Sequence, residues 1–180
     1  MATPYDHITK TDRRGSGISD YLLVAPVSSF TTIGCSPKNG TAPTDVVISA
    51  DHVFNGTGTQ GFIKIKMAQG AGEMMANFTG QAGSLKMTQE VKGFIPGSDK
   101  PLHSFFQNAL NDEWVILVKD SSCSQEMYYQ LGCDCNFAAI KGEGGFGTGK
   151  LKDGTKGYTV TFEYVTEGIQ VYEGAITLAP

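Results

Sequence analysis

Residues 158–164 alternate with period two. Tyr158, Val160, Phe162 and Tyr164 fall on one side, and Thr159, Thr161 and Glu163 on the other. Successive side chains of an extended chain point to opposite faces, so this pattern specifies a strand with one packed face and one wet face. A polar, glycine-rich bend from Gly147 to Lys156 precedes it, and a short apolar end, Ile169 to Leu178, follows. No catalytic constellation accompanies the strand, which points to a building block rather than an enzyme.

The same periodicity recurs upstream. Ile63, Ile65 and Met67 oppose Lys64 and Lys66; Leu85, Met87 and Val91 oppose Lys86, Thr88, Glu90 and Lys92. Trp114 to Val118 is continuously apolar, as expected of a strand covered on both faces. Val46–Ile48, Tyr128–Leu131 and Phe137–Ile140 are further short strands, and Tyr21–Val27, interrupted by Pro26, reads as an edge strand. Asn55-Gly56 favours a hairpin turn. Glycine, at 23 residues, is about twice its ordinary share, which suits strands joined by tight turns. One helix stands out: Leu102, Phe105, Phe106, Ala109 and Leu110 keep helical spacing, Ser98 or Asp99 can cap it, and Pro101 is tolerated in its first turn. The expected fold is mainly β, with β-sandwich or barrel-like antiparallel sheets and one flanking α-helix at about residues 100–111. Residues 1–20 read as a polar N-terminal arm and residues 21–180 as a single β-rich domain.

Residues 68–84 show neither strand period nor helix cap, and read as a long loop. Loops of such length are usually functional or disordered. This one carries Met74, Met75 and Phe78, which a solvated loop rarely does. A buried helical turn is the plainer explanation; an arm that packs on another subunit is the sharper one, with those three residues as intersubunit contacts.

Several other motifs fall away. Gly142, Gly144 and Gly147 match a dinucleotide fingerprint, and Gly144 to Lys150 a phosphate loop, but both need a helix directly after the glycines. Here Asp153-Gly154 and a strand follow, and Leu151 stands where magnesium binding needs Ser or Thr. Cys133-Asp134-Cys135 with Cys123 is an incomplete metal pattern. Residues 1–20 lack the apolar core of a secretory signal, so Cys35, Cys123, Cys133 and Cys135 are expected as thiols in a reducing cytoplasm. No apolar run reaches membrane-spanning length. His103 is expected as a solvated surface histidine. The sequons at Asn39, Asn55 and Asn77 are read as turn chemistry. No cofactor and no metal is expected.

The net charge is −4. Residues 1–90 balance at seven Lys/Arg against seven Asp/Glu, while residues 91–180 hold seven against eleven. A mildly acidic chain does not seek nucleic-acid phosphates.

The order of features resembles a known family. A strand leads into Phe94-Ile95-Pro96-Gly97; then come the helix at 101–111, Trp114 to Val118, Tyr128-Tyr129-Gln130-Leu131-Gly132, and Gly157 to Glu163. This arrangement, over roughly residues 60 to 175, resembles the tail tube (major tail) proteins of tailed bacteriophages. The resemblance implies a β-sandwich flanked by a helix, six copies per ring, rings stacked into a tube, and kinship with the tube protein of type VI secretion systems. It further implies a virion tail component assembled in the host bacterial cytoplasm, with itself, and tape measure, tail terminator and baseplate proteins, as partners. DNA would be a non-adhering cargo, and no membrane is involved. Glu90 and Glu163, on the polar sides of their strands, are then the candidates to face the lumen. The alternatives are a monomeric β-sandwich or barrel that binds a small ligand, and another virion component such as a capsid decoration protein.

Overall fold

The structure, a computed structural model, describes residues 17–37, 43–56, 58–121, 126–133, 136–150 and 154–180. The strands, in chain order, are β1 (Ile18–Pro26), β2 (Phe30–Thr32), β3 (Val47–Ile48), β4 (Val53–Phe54), β5 (Ile63–Lys66), β6 (Glu73–Thr79) and β7 (Lys86–Pro96). Helix α1 (Lys100–Ala109) follows, then β8 (Trp114–Asp120), β9 (Tyr128–Leu131), β10 (Ala139–Ile140), β11 (Gly145–Gly147), β12 (Gly157–Thr166) and β13 (Gln170–Tyr172). They form a six-stranded sheet in the order β3-β13-β9-β8-β1-β5, and a second sheet in the order β10-β12-β7-β6 with β11 also on β12. A small β2–β4 ribbon completes the fold. The chain is mainly β and sandwich-like, with no closed barrel.

The sequence periodicity explains the layering. Tyr158, Val160, Phe162 and Tyr164 of β12 join Val91 and Ile95 of β7 on the inner face of the second sheet. They pack against Leu22, Val24, Ile116, Val118 and Leu131 of the six-stranded sheet. The alternate residues Leu23, Ala25, Val115 and Leu117 face the other way, onto Phe30, Ile48, Phe62 and Tyr172. The two-faced burial expected of Trp114–Val118 is therefore present. A side chain at Gly93 would run into the Met67 sulfur and force Met67 to move.

The expected helix forms. The Asp99 carboxylate accepts the Leu102 N–H at 3.1 Å and caps it. Phe106 is buried and its ring stacks on Tyr158 at 4.1 Å. Leu110 lies outside the packed stripe, 58% exposed at the helix end.

Four expectations need correction. The 68–84 segment is not a loop: Glu73–Thr79 is strand β6, paired along its length with β7. Its apolar residues sit on both faces, which hides the period. Strand β1 is interior, between β8 and β5; Pro26 is tolerated because it is the last strand residue, and Val27 donates onward to the Glu113 carbonyl at 2.9 Å. Asn55-Gly56 turns the chain without making a hairpin, since β4 pairs with β2 and β5 with β1. Cys35 and Cys133 form a disulfide across 98 positions, with Cα atoms 5.7 Å apart, rather than remaining thiols. Cys123 and Cys135 lie outside the described residues. So does most of the expected N-terminal arm, while Ile18 to Asp20 of that arm belong to β1.

Candidate functional site

Strand β6 sets the geometry of the surface that stands out. It is the last strand of the second sheet, and among the described residues no strand pairs with its outer side. The residues expected to contact another subunit divide between its faces. Met74 and Phe78 share the inner row, opposite Val91 and Met87, whereas Met75 lies on the outer row opposite Glu90. Met74 packs on the core. Phe78, beyond the core's end, is 76% exposed. All residues from Asn77 to Lys86 are exposed, Leu85 among them, so the β6–β7 tip projects past the packed layers.

The outer face of this sheet is polar. Glu90 and Glu163 are direct cross-strand neighbours on β7 and β12. Lys141 Nζ lies 2.7 Å from Glu90 Oε1, 3.4 Å from Glu163 Oε2 and 3.6 Å from Glu143 Oε1. Lys92 Nζ lies 3.2 Å from the other Glu90 oxygen. The bond from Lys141, followed by that from Lys92, holds the Glu90 carboxyl below its ordinary range, and the bond to Glu90 raises the Lys141 ammonium. The two glutamates expected to face a lumen thus stand together on a solvent face. Sequence reasoning missed Lys141, their shared partner, because it enters from the far edge of the sheet.

That far edge is formed by β10 and β11, both paired to β12. A groove of about 680 Å³ opens there, between α1 and Gly142–Gly145. Phe106, Tyr158 and Val160 lie in it, with Leu110 and Ile140 beside them. At its rim His103 is not a free surface histidine: its Nδ1 lies 2.6 Å from the Tyr158 hydroxyl and its ring meets Phe146 edge-on. The glycine run contains β11, and among the described residues no helix follows it to present amides to a phosphate.

A second polar cluster is internal and was not foreseen. The Gly34 N–H donates to His52 Nδ1 at 3.1 Å, so His52 Nε2 carries the proton and donates to Gln130 Oε1 at 3.1 Å. Gln130 in turn donates to the Gly34 and Gly132 carbonyls at 2.9 Å each. The partners come from distant parts of the chain, and no local signal in the sequence marks them. Among the described residues no group of three or more His, Cys, Asp and Glu side chains is placed to hold a metal. No described helix is long and apolar enough to cross a membrane.

Comparison with protein-family models, with curated proteins and with solved structures gave no match. What this surface can do follows from its own geometry. Among the described residues, one sheet carries a strand with a free outer edge at one side, the shorter strands β10 and β11 at the other, and an ion-paired face between them.

Proposed function

We propose that this chain is a tail tube protein of a tailed bacteriophage, a structural component that assembles into stacked hexameric rings around a channel for DNA. The observation that carries the reading is the open β6 edge. Natural edge strands are blunted by proline, inward charges, bulges or covering loops. Strand β6 has seven residues, Glu73 as its only charge, no proline and an unbroken register with β7. An edge so exposed is suited to being covered by another chain. The opposite edge of the same sheet, β10 and β11, supplies a different surface, so β6 of one copy meeting β10 or β11 of the next makes a head-to-tail contact. Such contacts close into rings when the rotation permits. The sheet's outer face would then run continuously around the channel.

The charge pattern supports a channel that DNA passes without adhering. Phosphate affinity depends on lysines and arginines free to displace counterions. Lys92 and Lys141 on this face are both engaged by Glu90, and Lys141 also by Glu163. Tape measure, tail terminator and baseplate proteins are the further partners on this reading, and the virion tail is the location.

Negative-stain electron microscopy of the purified protein, with sedimentation velocity over a concentration series, tests it. Rings or tubes are expected. A monomer at every concentration would overturn the proposal and favour a ligand-binding sandwich.

A further inference from the structure

We infer that the tip of the β6–β7 hairpin seats Phe78 in the α1–glycine groove of a second copy; this rests on the tube-forming reading above and names the contact that stacks one ring on the next. Phe78, 76% exposed, packs on neither apolar cluster of the described residues. Phe78 lies opposite Met87, which pairs with Thr166 near the end of β12. The groove lies at Tyr158 to Val160, near that strand's beginning. Eight residues of strand separate the two levels, roughly 26 Å at about 3.3 Å per residue. A displacement along the strands therefore brings the groove of one copy to the tip of another. The two surfaces are unlike and sit at opposite ends, so the contact repeats without closing on itself, as a stacked tube requires.

The groove's chemistry suits an aromatic ring. Phe106, Tyr158 and Val160 offer apolar surface, and Leu110, 58% exposed, forms an unfinished wall beside them. Gly142, Gly144 and Gly145 add no side chains to the opposite wall, so a backbone or ring can approach closely between Lys141 and Glu143. Charge agrees as well. Lys86 is the only charged residue from Asn77 to Lys86, and it forms no salt bridge among the described residues. Glu143 stands at the groove with its side chain 63% exposed; its one ion pair among the described residues is the 3.6 Å contact with Lys141, an ammonium that Glu90 and Glu163 share, so carboxylate charge is in excess here.

The test is a photocrosslinker, benzoylphenylalanine, placed at position 78, in an equal mixture with ¹⁵N-labelled unmodified protein. Mass mapping then tells contacts between copies from contacts within one. Crosslinks from position 78 to residues 100–111 or 139–147 of a labelled copy are the expected result. Phe78→Ala should weaken self-association about tenfold or more, as for an aromatic anchor at an interface centre. Gly142→Trp, where an added Cβ meets nothing within 4 Å, should fill the groove and suppress the crosslink without unfolding the chain. Rings or tubes whose crosslinks map elsewhere would overturn this inference and leave the tube reading standing. A protein that stays monomeric at every concentration would overturn both.

Discussion

The imidazole of His52 lies nearly parallel to the phenol ring of Tyr172, with centroids 4.6 Å apart and planes 16° from parallel. The stack is buried, and both nitrogens of His52 are committed: Nδ1 accepts from Gly34 and Nε2 donates to Gln130. Burial lowers the imidazole from 6.5 to about 4, against the smaller opposing effects of Gln130 and Asp51. A proton on Nδ1 would point at the Gly34 N–H.

Stability should therefore fall with acid in a defined window. Well above pH 6.5 His52 is neutral in both folded and unfolded chains and contributes no pH dependence. Between 6.5 and about 4 the unfolded chain takes up a proton that the folded chain refuses, so stability drops as pH falls. The full loss across that window is about 3 kcal/mol. Urea denaturation across it, paired with an NMR titration of the His52 ring, checks this. A His52 ring titrating near its ordinary value would sink it.

Phe106 stacks on Tyr158 and meets Phe105 edge-on. Phe106→Ala should cost about 3–5 kcal/mol, the usual range for removing a buried ring. Chemical denaturation measures it, and an unchanged midpoint would remove α1 from the core.

The Cys35–Cys133 disulfide closes a long loop beside the His52–Gln130 cluster. Reduction, or Cys35→Ser with Cys133→Ser, should lower stability by about 2–4 kcal/mol. Peptide mapping without reductant should find residues 35 and 133 linked. Free thiols at both positions in the folded protein would contradict the pairing.

Lys141 bridges Glu90 and Glu163. Lys141→Ala should bring the Glu90 carboxyl back toward its ordinary value, with Lys92 still holding it slightly low, and this is readable by NMR titration. The parent protein should show no measurable affinity for duplex DNA at physiological salt. Micromolar binding that weakens steeply with added salt would instead mark a phosphate-contacting surface.

What the sequence made legible was local. The period of Tyr158 to Tyr164, the unbroken run Trp114 to Val118 and the capped helix after Asp99 each follow from neighbouring residues, and each was recovered. Strand β6 was not, because the apolar Met74 and Met75 are neighbours in sequence and so fall on opposite faces, which breaks the alternation. Pro26 misled for a similar reason: its effect depends on its place at the strand's end, which composition does not show. Of the candidate surface, Met74, Met75, Phe78, Glu90 and Glu163 stand out in the sequence, but that Glu163 lies beside Glu90 and that Lys141 joins them is a consequence of pairing over 50 and more positions. The Cys35–Cys133 and His52–Gln130 pairs are equally distant in sequence.

Strand β8 gives its even-numbered residues Trp114, Ile116 and Val118 to one apolar cluster, and the odd-numbered Val115 and Leu117 to the other. Neither cluster can come apart without baring that strand. The two sides of the molecule are thus bound to a common fate, and loosening one removes the floor from its neighbour. The backbone amides of Trp114 to Val118 should be the last to exchange with solvent deuterium, released only in openings that take the whole chain with them.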